Sequence, residues 1–208
     1  MKRILLTLTA VFCASFGLRA GADAGIWSSL QAVKSFKGGA YAMARFEHRS
    51  CEKMSETECW FAMAGGGAAF TDWLKADLSY EYWKIQNTSV AHKAVLAVTG
   101  TLRKGDFAFQ VREKYELAYA PASEALTHTL RTRFRFQYSG SAGSLGLTPY
   151  AMMEVFNGPG STPWIRNLHY LGCELGFGKH HSIDLFYMYH LWTTGSSHLL
   201  GVGYNFRF

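Results

Sequence analysis

The 208-residue chain has only four prolines, and nowhere do apolar residues recur every three or four positions for a sustained stretch. That excludes a helical bundle and any fold built on long amphipathic helices. Beyond residue 22 no apolar run is long enough to cross a membrane as a helix. The longest, "CWFAMAGGGAAF" at Cys59 to Phe70, is short and carries three glycines. No linker, low-complexity tract or second domain interrupts the chain. Cysteine is sparse, at four residues. A large surplus of one charge is missing as well, once the N-terminus is understood.

Lys2 and Arg3 precede an apolar run from Ile4 to Phe16. Then "GLRAGADAG" offers small residues in A-x-A spacing, at Ala20-Gly21-Ala22 or Ala22-Asp23-Ala24. This pattern predicts a secretory signal peptide over residues 1–22, cleaved near Ala22. An uncleaved anchor is the alternative, although the run is too short for a membrane-spanning helix. Lys2, Arg3 and Arg19 fall in this leader, so the mature chain carries 18 Lys+Arg against 15 Asp+Glu. The basic character is therefore partly a targeting feature and does not point to nucleic acid. An exported chain meets an oxidising compartment, and Cys51 and Cys59 flank the polar "EKMSETE". A disulfide closing that loop is expected, with two free thiols as the alternative.

What fills the rest is alternation. "LRTRFRFQY" sets Leu130, Thr132, Phe134, Phe136 and Tyr138 against Arg131, Arg133, Arg135 and Gln137. "SIDLFYMYHLW", "LTPYAMMEVF", "LGCELGFG" and "LKADLSYEYW" alternate in the same way, with turn residues at most breaks. Successive strand side chains point to opposite faces, so the mature chain reads as all-β. Eleven strands of about 10–12 residues are expected, the length a tilted strand needs to cross a bilayer.

Alternation alone does not say which face meets water. Three features favour an outer-membrane barrel over a soluble periplasmic ligand-binding barrel. Charges of both signs share the polar faces, Arg131, Arg133 and Arg135 lying beside Glu154. Tyr and Trp, 17 together, gather towards strand ends. The last strand, "HLLGVGYNFRF", places Leu200, Val202, Tyr204, Phe206 and Phe208 on one face. Glu113, between Val111 and Tyr115 on the expected lipid face, predicts a bulge, a register change or a protein contact. Bacterial barrels have even strand numbers. The expectation is therefore an up-and-down transmembrane β-barrel of ten strands over residues 40–208, with twelve as the alternative. Residues 23–39, including Ile26–Phe36, would be an N-terminal segment threaded into or along it.

The terminal Phe208 with Tyr204 and Phe206 resembles the C-terminal signature of bacterial outer-membrane proteins. That resemblance implies outer-membrane lipid as surroundings and the barrel-assembly machinery as a partner. The order "HTLRTRFRFQY", "LTPYAMMEVF", "LHYLGCELGF", "HSIDLFYMYH" and "HLLGVGYNFRF" also resembles a domain-of-unknown-function family of small outer-membrane barrels. The resemblance covers roughly Trp27 to Phe208 and departs at the Cys51–Cys59 loop and at "AGGGAA". It implies fold and location, and no particular chemistry.

Candidate chemistry is thin. His180 and Ser182 have the spacing used by outer-membrane lipid A deacylases, in which a Ser-His-acid set activates a hydroxyl. The Asn and Asn-Pro-Gly surroundings of that family are absent, and "GKHH" also reads as a hairpin turn. The histidines show no metal-ligand spacing beyond the pair His180 and His181. No phosphate-loop or cofactor motif is present. The better-supported constellation is a lumen charge network of Arg112, Arg131, Arg133, Arg135, Glu154, Glu174 and Asp184. Arg45, Glu47, Asp77, Glu81, Lys114, Glu116 and Arg207 would join it. Such a network either fills the interior with ion pairs, giving a structural barrel, or lines a narrow anion-leaning channel.

Overall fold

The computed structural model describes residues 23–86, 89–158 and 166–208. The expected signal peptide, residues 1–22, lies outside them. Twelve strands follow in chain order: β1 Asp23–Ser35, β2 Ala40–Cys51, β3 Glu56–Ala69, β4 Leu74–Ile85, β5 Ser89–Lys104 and β6 Phe107–Ala120. Then come β7 Ala125–Tyr138, β8 Gly140–Ala142, β9 Leu145–Asn157, β10 Arg166–Phe177, β11 His181–Trp192 and β12 Gly195–Arg207. Each long strand is hydrogen-bonded to its neighbours, and β10 to β9 and β12 to β1 complete a closed barrel. Closure leaves no unpaired sheet edge, which is what a strand protein in lipid requires.

The wall holds eleven strands, with β8 a short three-residue extension paired only to β9. This corrects the expected count of ten. The even-number rule led to setting Ile26–Phe36 aside, yet β1 is a full wall strand between β12 and β2. In a meander with an odd number of strands the first and last run the same way, so the closing pair must be parallel. Indeed β1 and β12 pair in parallel from Asp23↔Ser197 to Val33↔Arg207, while every other pairing is antiparallel. The carbonyl of Phe208 accepts from the Ser35 amide at 3.0 Å and its amide donates to the Val33 carbonyl at 3.0 Å.

The polarity of the wall is inverted relative to a water-soluble barrel. Leu30, Phe46, Leu78, Leu96, Leu130 and Val202 are exposed on the outside, whereas Glu47, Asp77, Glu81, Glu116 and Glu154 are buried within. Wall strands of 12 to 16 residues exceed the roughly 9–11 that a tilted strand needs to span a bilayer. The connections Gly105–Asp106 and Gly178–His180 mark one end of the barrel, called here the turn end; residues 52–55, 121–124 and 193–194 mark the other, the loop end.

Inside, two apolar layers sit towards the loop end. One joins Trp27, Phe156, Leu168, Tyr170, Met188 and Leu199, with Tyr150 below them. The other joins Cys59, Phe61, Trp83 and Ala91. Wall glycines let large rings lie flat against the strands. A Cβ on Gly201 would stand 1.9 Å from the Phe186 ring, closer than any real contact, so any larger residue there must displace the ring.

Candidate functional site

The seven charged residues expected in the lumen all line it, in several groups held by strand register. On β6 and β7, Lys114 stands directly opposite Arg131 and Arg112 opposite Arg133. Like charges across a rung repel, so carboxylates from neighbouring strands must intervene. Glu154, on β9 opposite Arg133, is fully buried and accepts from Arg131 Nη2 at 2.8 Å and from Arg133 Nε at 3.3 Å. Glu116 binds Arg131, Lys114 at 3.2 Å and Lys93 at 3.7 Å. Arg112 turns the other way, donating to Asp77 at 2.8 Å.

Nearer the turn end Arg135 and Arg207 share Glu174, at 3.9 and 3.7 Å. Asp184 takes no arginine; the Tyr150 hydroxyl donates to both its oxygens at 3.0 and 3.1 Å. Most carboxylates in this network thus serve more than one cation, and positive charge is left over. The guanidiniums of Arg112 and Arg133 keep 27% of their side-chain surface open to solvent, and Arg45 keeps 35%. Water therefore reaches the basic wall, while Glu154 beneath it is dry.

The loop end of the lumen is different. Arg49 donates through Nε to Glu47 at 2.7 Å and lies over the Trp27 ring at 3.7 Å and the Trp83 ring at 4.9 Å. Trp83 stacks on Phe61 at 4.3 Å and donates its indole N–H to Glu81 at 2.7 Å. Lys93 also lies over the Trp83 ring at 3.9 Å, and Arg131 stacks on Phe156 at 4.3 Å. Cation and aromatic groups interleave here into a stopper. Sequence reasoning missed Arg49, Lys93 and Trp27. Arg49 was findable, since it continues the inward series Arg45, Glu47. Lys93 was not, because the two faces of β5 are both largely apolar, Val95 and Ala97 inside against Leu96 and Val98 outside.

The His180–Ser182 pair does not assemble. His180 sits in the exposed turn with Nδ1 on the Arg207 carbonyl at 2.6 Å. Ser182 faces the lumen and donates to Glu174 at 2.6 Å, so it has a carboxylate partner and no imidazole base. The turn separates them: His180 lies before β11 begins, and Ser182 is an inward position of the strand. The expected Cys51–Cys59 disulfide is likewise not formed. Register sets Cys59 opposite Arg49 and Cys51 opposite Glu56, so the thiols occupy different rungs. Glu113 causes neither bulge nor register change; it stays on the outer face and accepts from the Thr132 hydroxyl at 3.0 Å. Tyr204 and Phe206 lie on the outer face of β12, Phe206 stacking on Phe208 at 5.1 Å. Among the described residues no group of three or more His, Cys, Asp or Glu is placed to hold a metal.

Residues 24–197 match the family model described as "Protein of unknown function (DUF2490)". The chain belongs to that family. The resemblance carried by the Arg-alternating strand, the Thr-Pro-Tyr strand and the glycine-rich closing strand thus points to the right group. No curated protein matches the chain. Among solved structures it is similar to the NanC porin in a rhombohedral crystal form, at 10% identity and a TM-score of 0.55. The match covers 90% of this chain and 98% of that one. At so low an identity the likeness is one of fold, and this family member shares the porin-like β-barrel architecture.

Proposed function

We propose that this protein is an exported outer-membrane barrel whose lumen is a narrow, anion-leaning conduit constricted at the loop end. The carrying observation is the pair of rungs that set Lys114 against Arg131 and Arg112 against Arg133, with partly solvent-open arginines and shared carboxylates around them. A wall whose cations outnumber their carboxylate partners concentrates anions in a confined lumen. The inverted polarity of the wall favours lipid rather than water outside, and the porin-like fold agrees with that setting. On this reading the loops face the cell exterior, Phe208 the periplasm, and the barrel-assembly machinery engages the outer face of β12 at Tyr204, Phe206 and Phe208.

Purified protein in planar bilayers tests the proposal. Small, anion-preferring conductance is expected from the wild type, with the preference falling in Arg112→Gln/Arg133→Gln. Trp27→Ala/Phe156→Ala should raise conductance by loosening the stopper. Silence in both the wild type and the stopper variant would instead indicate a structural barrel. Lipid A from expressing cells, measured beside this, should be unchanged. Loss of an acyl chain that depends on Ser182 would replace the channel with a deacylase.

A further inference from the structure

The lumen leaves one recurrent constellation unexplained. Five of the eight histidines, His48, His92, His128, His169 and His198, lie on the outer wall near the loop end. Three of them repeat one geometry. The Tyr80 hydroxyl meets His92 Nδ1 at 2.5 Å, and the Tyr115 and Tyr187 hydroxyls meet Nδ1 of His128 and His198 in the same way. The registers are identical: Tyr80 faces Ala94, Tyr115 faces Leu130 and Tyr187 faces Leu200, and each histidine lies two residues nearer the loop end on the facing strand.

We propose that this Tyr–His belt binds the phosphates of lipid headgroups in the leaflet that meets the loop end. The proposal rests on the membrane reading above. A phenol O–H donates to an imidazole nitrogen, and an Nδ1 that accepts leaves the proton on Nε2. Nε2 of His92, His128 and His198 has no partner among the described residues, so each ring presents a free N–H donor on the outer wall. Phosphate oxygens are the acceptors found at that depth of a bilayer, and hydrogen bonds to them are charge-assisted. Lys84, on the same face of β4 as Tyr80, adds a cation. Glu113, two residues from Tyr115 towards the turn end, is occupied by the Thr132 hydroxyl, and the other outer carboxylates sit in the loops or in the β2–β3 hairpin. An aromatic girdle alone needs no imidazole; three donors fixed in one tautomer go beyond it.

The full-length barrel is reconstituted into phosphatidylcholine vesicles containing one fifth phosphatidic acid or, as control, one fifth diacylglycerol. Lipids retained after extraction into detergent are then counted by native mass spectrometry. The wild type should retain phosphatidic acid over diacylglycerol by about tenfold, near the value of one hydrogen bond to a charged group. His92→Phe/His128→Phe/His198→Phe keeps the rings and loses the donors, and should fall to parity while remaining heat-modifiable. Tyr80→Phe/Tyr115→Phe/Tyr187→Phe frees the tautomer and should give an intermediate ratio. A wild type that inserts without preference, or a histidine variant that keeps it, overturns the belt alone. A wild type that enters neither vesicle as a heat-modifiable barrel overturns the membrane reading with it.

Discussion

At the loop end the outer wall carries three Tyr–His pairs, whereas at the turn end a single one, Tyr204 with His181, stands among Phe70, Trp73, Leu102, Phe107, Phe136 and Phe208. The inside of the barrel reverses the contrast. Its loop end is stoppered by Trp27, Phe61, Trp83 and Phe156, while towards the turn end it opens onto Arg135, Glu174 and Arg207. Polar groups outside thus accompany apolar packing inside at one end, and the other end has the opposite arrangement. The lesson is that the two rims are chemically distinct interfaces. The turn end has a girdle suited to anchoring and insertion. The loop end has a girdle of Tyr–His pairs around a lumen packed with aromatic rings.

The comparison breaks first at the turn-end girdle. Phe206→Lys/Phe208→Lys is expected to remove most heat-modifiable barrel from the outer-membrane fraction while export continues. The matching loop-end change, Tyr119→Lys, should leave most of it; equal losses by fractionation would erase the distinction. Next comes the dry carboxylate between the two ends. Glu154→Leu leaves Arg133 without its ion-pair partner and Arg131 with only Glu116. A loss of roughly 3–5 kcal/mol is expected in urea unfolding of the refolded protein. Gly201→Ala should cost about 1–3 kcal/mol by the same measurement, because Phe186 must swing off the wall. The smallest effect has the opposite sign. Glu113→Leu removes a carboxylate from the middle of the lipid face and should stabilise the barrel by about 1 kcal/mol in lipid, with little change in detergent.

Much of this was legible in advance. The alternation of "LRTRFRFQY" and "SIDLFYMYHLW" assigned inner and outer faces that the barrel retains, and Arg133 and Glu154 do meet across one rung. The site was read less completely. Asp184 was read as a member of the charge network, but its partner is the uncharged Tyr150, which alternation does not reveal. Cys51 and Cys59 bracket a loop in sequence, yet the hairpin register sets Cys59 opposite Arg49 and Cys51 opposite Glu56, two rungs apart along β2. His180 and Ser182 are two residues apart, yet one sits in the exposed turn and the other in the wall facing the lumen.

The sequence by itself determined the class of structure and its polarity, because the two-residue period of a strand is a local property written in every segment. It also determined which charges share a face. Only the tertiary structure decided that the count is odd. The direction in which β1 runs is fixed by its pairing with β12, a partner more than 160 residues away, and nothing in "GIWSSLQAVKS" records it. The same holds for the stopper, the shared carboxylates and the Tyr–His belt. Each requires side chains from separate strands at a common height, and height around a closed barrel is set by the accumulated register of every strand between them.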